Sequence, residues 1–483
     1  MLFLKRLMIL MFYASLPLLI PFGYSIFLND GAWATIGFTI LVMALPAVPQ
    51  LLQHIYENIR NFVLALVQQD TAFTFARLVD LEKMREEVSE LTLGQILALV
   101  SAAWLIIPAV SAIPYLAYGM GPVDAFFESL SGWTSTGLSA IPVLDGLPSS
   151  ILLYRSVTQW VGGLGIVILM LTVMKGREAK HFLKAEGRTS EEVGISKAAG
   201  SIWGTYLMIT TIGIVLLIVS GIDPINSVNL TFSGVSSGGF FPFDSFAFND
   251  LQKTSLTVLM FCGATSFLIY RKLAAGKVRE ALLDEELIFY VLIAALAIML
   301  IWFVSQEDVY NTLLTSISSI SSTGFEVGDL PILHAFPIYI LIVLMLMGGM
   351  MGSTCGGIKL WRILVVLKSI FRNVKSAFLP AGTVQVVKIN GKAIAEESIV
   401  ESSTFIFAYM IIFLFGCGVF IAADYGIEDS MFMIASAMGN VGLAIIPIPL
   451  MGQEAKIFLI ILMYLGRIEI FPSLALIRFL TKR

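Results

Sequence analysis

The chain has 483 residues, 57% of them hydrophobic and only 13% charged, with a net charge of −4. A soluble domain carries about 25% charged residues. The composition therefore excludes a soluble enzyme and points to a polytopic membrane protein. Three cysteines, Cys262, Cys355 and Cys417, lie in apolar or glycine-rich segments. Their spacing suits neither a metal site nor a disulfide framework, and they read as core residues.

At the N-terminus, Lys5 and Arg6 precede a long apolar run, and a second run follows at about 32–50 after "NDGAW". Two runs in succession predict a retained helical hairpin rather than a cleaved signal peptide. A basic connector, 51–95, comes next. Further basic segments lie at 175–199, 271–286 and 359–400. Together with both termini they hold 26 of the 30 Lys and Arg residues. The polar segments between them, 119–150, 221–253, 304–336 and 423–454, contain one base, Lys253, and many acids. The positive-inside rule places the basic segments and both termini in the cytoplasm. The outer face is acidic, which favours cations. Arg155, Lys456 and Arg467 are the remaining bases.

Between each pair of cytoplasmic segments the chain must cross the membrane and return. Residues 96–174 do so as an apolar run, a short amphipathic stretch, the loop "TSTG" and a second apolar run. The amphipathic stretch has about 12 residues, whereas a spanning helix needs about 20. It predicts a re-entrant half-helix followed by a polar loop, tolerated at membrane depth only where buried in protein or facing water. The same order recurs from about 200, 287 and 401. The expected organisation is a helix pair and connector (1–95) followed by pore repeats 96–199, 200–286, 287–400 and 401–483. The fold class is thus an all-α polytopic membrane protein: four helix–pore-loop–helix repeats around one pore, plus an N-terminal helix hairpin.

Aligned on glycine, the loops are Thr134-Ser135-Thr136-Gly137, Val235-Ser236-Ser237-Gly238, Ser321-Ser322-Thr323-Gly324 and Gly439-Asn440-Val441-Gly442. An acid stands near the start of each half-helix: Asp124, Asp223, Asp308 and Asp429. Such acids complement the helix dipole. A dehydrated ion needs oxygen ligands, and extended loops supply backbone carbonyls in a row. Glycine permits the φ > 0 such loops need. One Ser/Thr/Gly loop is an ordinary turn or packing contact; four on the same side, each between spanning helices, indicate a cation pore.

The four-fold repeat resembles the Trk/Ktr/HKT superfamily of potassium transporters over nearly the whole chain. The extra N-terminal helix pair is similar to the TrkH/TrkG pore-subunit branch. "QWVGGLGIVIL" (159–169), "SSTGF" (321–325), "MGNVGL" (438–443), "GGMMGSTCGGIKLWRIL" (348–364) and "LGRIEIF" (465–471) carry the likeness. The resemblance implies that the four loops bind potassium, the transported substrate, as a selectivity filter. Glycine at the aligned positions, Gly137 included, implies potassium over sodium. It also implies that the glycine-rich interruption of the third return helix is an intramembrane gate beneath the filter. That gate would comprise Gly348, Gly349, Gly352, Ser353, Thr354, Gly356, Gly357 and Lys359. Cys355 stands where the family often has glycine. Arg467 would face the pore and meet the gate; the alternative is an ion pair with Glu469 or another acid. Pro472 predicts a kink nearby. The resemblance further implies a homodimer in the inner membrane of a prokaryote, working with a cytoplasmic nucleotide-binding regulatory subunit (TrkA-like). Segments 175–199 and 359–400 are either its docking surfaces or ordinary positive-inside charge.

No catalytic constellation emerges. His54, His181 and His334 are scattered, and "GGLGIVIL" lies inside an apolar span, where helix packing explains it. No cofactor on this chain and no nucleic-acid partner are expected. A proton- or sodium-coupled carrier remains the rival mechanism, although its usual mid-membrane charges are few here. A sodium-conducting relative remains the rival within the pore class.

Overall fold

The computed structural model describes residues 2–50, 53, 92–173, 195–244, 247–326, 334–380 and 385–481. Most of the connector 51–95, most of the basic segment 175–199, and His54 and His181 lie outside the described residues. Six described helices are long and apolar enough to cross a membrane. Two of these spans, Phe3–Leu28 and Trp33–Gln50, form the N-terminal hairpin; the other four open the repeating units, and two bent pairs raise the total to eight. The chain is a multi-pass membrane protein.

Each unit has a long first helix, a half-helix, a small-residue loop and a return helix. The half-helices are Pro122–Trp133, Pro224–Val235, Val309–Ile320 and Ile427–Gly439. At 12 or 13 residues and 1.5 Å per residue, each covers little more than half of a ~30 Å hydrocarbon core. Asp223 and Asp308 are N-caps whose carboxylates accept from the amides of Asn226 and Asn311. Asp124 and Asp429 lie in the first turns of the other two half-helices.

The return helices differ. In unit 1 the return runs unbroken over Ser149–Val173. In unit 3 it stops at Met347 and resumes as Leu360–Ser376, the interruption expected from the glycine run. Two further breaks occur, and only the second, expected as a kink near Pro472, had a sign in the sequence. In unit 2 the axis turns by 94° between Asp250–Ala264 and Phe267–Ala274. In unit 4 it turns by 108° between Gln453–Ile468 and Pro472–Thr481. The second turn pivots at Glu469, whose φ is 64°, rather than at Pro472.

Two ion pairs at equivalent places link units. Lys456, on the fourth return helix, lies 2.7 Å from Asp124 of the first half-helix. Lys253, on the second return helix, lies 3.5 Å from Asp308 of the third. A small antiparallel hairpin, Lys388–Ile389 with Lys392–Ala393, follows Leu360–Ser376. Asn390 and Gly391 turn it with φ of 50° and 74°, the Asn-Gly signature of a two-residue turn.

Candidate functional site: four loops and the segment beneath them

Every half-helix ends the same way. A left-handed residue closes each: Ser135 (φ 51°), Ser237 (57°) and Ser322 (52°) just after the C-cap, and Asn440 (49°) at the C-cap itself. In unit 1 the Ser135 amide donates to the Gly132 carbonyl and the Thr136 amide to the Ser131 carbonyl. Matching pairs of bonds close units 2, 3 and 4. This is a Schellman ending, which satisfies helix carbonyls left without partners and aims the chain out of the helix axis.

Two residues beyond each left-handed residue stands a glycine with positive φ: Gly137 (95°), Gly239 (75°), Gly324 (81°) and Gly442 (99°). A Cβ on Gly137 would overlap the Gly238 carbonyl oxygen. On Gly239 it would overlap the Thr323 oxygen, on Gly324 the Val441 oxygen, and on Gly442 the Thr136 oxygen. Loop 1 therefore abuts loop 2, loop 2 loop 3, loop 3 loop 4, and loop 4 loop 1. The four loops form a closed ring held at glycine-only separations.

The ring changes one alignment. Gly239, not Gly238, is the counterpart of Gly137, so the second loop is Ser236-Ser237-Gly238-Gly239. Val235 is the last residue of its half-helix. Loops 1, 3 and 4 keep the alignment expected from sequence. The signal was available: "SSGGF" matches "SSTGF" once Phe240 is set opposite Phe325.

Side chains within and beside the loops brace the ring. The Gln159 amide donates to the Gly238 carbonyl, and its oxygen accepts from the Phe240 amide at 3.2 Å. Asn440 Nδ2 donates to Thr136 Oγ1 and to the Met463 carbonyl, both at 2.9 Å. Arg155 and Glu128 form an ion pair at 2.8 Å with side chains 1% and 0% exposed. Arg155 also donates to the Phe241 carbonyl and to Ser139, and stacks over Phe240. Glu128 accepts from Ser139 and the Ala140 amide. One buried pair thus ties the chain leaving loop 1 to the chain leaving loop 2. The sequence marked Arg155 only as a base outside the basic segments.

The glycine-rich segment of unit 3 packs against the ends of three half-helices. Thr354 Oγ1 donates to the Val235 and Gly263 carbonyls at 3.0 and 3.1 Å, and lies 2.8 Å from Ser237 Oγ. Cys355 Sγ donates to the Ser321 carbonyl at 2.8 Å. Gly356 meets the Gly439 carbonyl so closely that a side chain would overlap it. Units 2, 3 and 4 are therefore all contacted. Gly348, Gly352, Gly357 and Lys359 have positive φ. Within the segment, Gly348 packs on Gly356 and Gly357, Gly349 lies beside Cys355, and Ser353 Oγ donates to the Met350 carbonyl at 2.6 Å. Lys359 Nζ donates to the Cys355 carbonyl. The segment is pinned to the bend of unit 2 by Met350 N–H to the Ala264 carbonyl and Phe267 N–H to the Gly352 carbonyl, both 3.1 Å.

Arg467 reaches this segment from unit 4. Its guanidinium donates to the Thr354 carbonyl at 2.8 Å and to the Gly162 and Gly163 carbonyls at 2.7 Å. Glu469 instead accepts from Arg362 at 2.9 Å. The two neighbours on the sequence face different partners because the chain turns left-handed at Glu469. All the expected gate residues thus converge below the ring, and Cys355 joins them.

A family model described as "TrkH: Cation transport protein" matches residues 83–307 and 287–481. An uncharacterised cation transporter of Methanocaldococcus jannaschii is 33% identical over 390 residues, covering 77% of this chain and 80% of its own. The chain belongs to the TrkH family of cation transport proteins. The Trk system potassium uptake protein TrkH of Escherichia coli is 27% identical over 423 residues, covering 81% of this chain and 86% of its own. The crystal structure of the potassium transporter TrkH from Vibrio parahaemolyticus superposes with a TM-score of 0.79 at 22% identity, covering 100% and 99% of the two chains. These relatives are transporters, not enzymes. The TrkH fold accounts for the all-α architecture.

Proposed function

We propose that this protein takes up potassium through a channel-like pore whose selectivity filter is the ring of four loops. The single observation that carries the reading is the ring's closure: each loop's glycine contacts the next loop's carbonyl, all the way round. Four short carbonyl-lined strands held at fixed separation can replace the hydration shell of one ion. The four half-helices end toward the ring, so their dipoles add negative potential there. The potassium uptake named for the Escherichia coli and Vibrio relatives supports the choice of ion.

In this reading, Thr134–Gly137, Ser236–Gly239, Ser321–Gly324 and Gly439–Gly442 bind the ion. Residues Gly348 to Lys359 form a gate beneath the ring. Arg467 holds that gate to unit 1 and places a positive charge below the filter, which opposes cation passage while the gate is in place. The division into four pore repeats, the homodimer, the cytoplasmic nucleotide-binding regulatory subunit, the inner-membrane location and the cytoplasmic termini complete the proposal. They rest on charge distribution and family resemblance.

Cation flux into proteoliposomes tests it, comparing potassium, rubidium and sodium, with Gly324→Ser alongside. Potassium and rubidium flux above sodium, with discrimination eroded in the variant, is expected. Equal sodium flux would overturn the potassium assignment. Flux that requires a proton gradient would overturn the channel-like mechanism in favour of a coupled carrier. A silent chain would be retested with the regulatory subunit and nucleotide.

A further inference from the structure

Glu286 stands in the first turn of the helix Glu285–Ser305 and is only 6% exposed. A carboxylate so buried is costly unless donors and charge compensate it. It finds a donor in the segment beneath the ring. Met351, in the middle of that segment, donates its backbone N–H to Glu286 Oε1 at 2.6 Å. One acid on a neighbouring helix therefore holds the middle of the glycine-rich stretch by its backbone.

Its own position is well determined. The Glu286 amide donates to Asp284 Oδ1 at 3.2 Å. Asp284 pairs with Lys272 at 2.6 Å and accepts from Asn390 at 3.0 Å. Glu285 accepts from the Asn390 amide at 2.8 Å and pairs with Lys368. The three consecutive acids thus divide their work. Asp284 and Glu285 bind the cytoplasmic hairpin and the helices around it, while Glu286 turns inward to the segment.

We propose that Glu286 is a positioning residue that latches the segment in its blocking place. The latch is asymmetric in energy. Withdrawal of the segment takes the Met351 amide away and leaves a buried carboxyl oxygen without that donor. The glycines let the segment move, and Glu286 opposes that movement. This inference rests on the gate reading above, so its test separates the two.

The experiment uses the full chain in proteoliposomes, in a Cys262→Ser, Cys417→Ser background, with Glu286→Ala and Glu286→Gln. Two quantities are read: potassium flux, and the rate at which a small methanethiosulfonate modifies Cys355, which is buried against Ser321 when the segment is in place. Loss of one buried hydrogen bond corresponds to a roughly tenfold faster modification in Glu286→Ala. Glu286→Gln keeps an acceptor for Met351 in a side chain of altered polarity, and falls between. Unchanged Cys355 modification in both variants overturns the latch, whatever the flux does. Faster modification with unchanged flux upholds the latch and overturns the gate reading. Faster modification with raised flux upholds both. Should Glu286→Ala fail to fold, the near-isosteric Glu286→Gln decides on the same two readings.

Discussion

Placing a methyl group on Gly239, and separately on Gly238, probes how the second loop joins the ring. At Gly239 the backbone has φ +75°, and the new Cβ would overlap the Thr323 carbonyl oxygen. An L-residue in a left-handed conformation costs about 1–2 kcal/mol. The overlap adds to that, and only displacement of the Thr323 carbonyl or of the whole loop relieves it. Since ~1.4 kcal/mol is a factor of ten, Gly239→Ala is expected to erode potassium-over-sodium discrimination by about tenfold or more. Gly238 is different. It has no positive φ, and its Cβ would meet the end of the Gln159 side chain at 2.5 to 2.9 Å. A flexible amide can swing aside for the loss of a hydrogen bond or two, about 1 kcal/mol each, with the ring carbonyls left in place. The assay is rubidium against sodium flux in proteoliposomes for the two variants beside Gly137→Ala, Gly324→Ala and Gly442→Ala. Gly239→Ala should group with these three. If Gly238→Ala erodes discrimination as much as they do while Gly239→Ala leaves it intact, the ring assignment is wrong.

Three further outcomes are expected. Glu128→Ala or Arg155→Ala leaves one fully buried charge unpaired, at a cost of about 3–5 kcal/mol. Each should lower the melting temperature sharply, and the double variant should lose less than the sum; two singles that melt like wild type would refute the brace. Arg467→Ala removes three donations to the Thr354, Gly162 and Gly163 carbonyls and should raise basal flux several-fold. Arg467→Lys, a point charge without the planar fork, should restore only part of the block; flux that falls instead would contradict the gating role. Asp30 joins the N-terminal hairpin to unit 1 by accepting from Ser150 Oγ at 2.6 Å. Burial works to raise its pKa, but hydrogen bonds from Ser150, Ser25 and the Ala32 amide outweigh it and hold the carboxyl below its ordinary 3.8. A lowered folded-state pKa gives stability that is present above the unfolded value and lost as pH falls through the folded one. The melting-temperature gap between wild type and Asp30→Asn should therefore be full near neutral pH and shrink below about pH 4; a gap that widens on acidification would reverse the sign of this argument.

Much of the architecture was legible in residue order because its causes are local. Hydropathy over about 20 residues marks a span, so the first helix of each unit and the N-terminal hairpin could be located directly. Half-helices too short to cross, followed by hydroxyl and glycine residues, announced four similar loops. The glycines between Gly348 and Gly357 announced a broken helix. Even Gly239 had a local sign in Phe240, and the hairpin at 388–393 had one in Asn390-Gly391.

Other features depend on residues far apart in the chain. That loop 4 closes on loop 1 depends on Gly442 meeting Thr136, about three hundred residues away. Arg467 and Glu469 are two residues apart and were natural partners on paper. A left-handed turn at Glu469 gives one to three backbone carbonyls and the other to Arg362. The break in unit 2 carries no proline and follows a single glycine; the segment from unit 3 meets it by backbone hydrogen bonds on both sides. Nothing in residue order set Glu286 apart from Asp284 and Glu285; folding buried it against Met351. Sequence by itself determined which segments are apolar, short or free to bend. Tertiary structure alone decided which carbonyl each glycine touches and which donor each buried charge finds, because those energies exist only after distant segments meet.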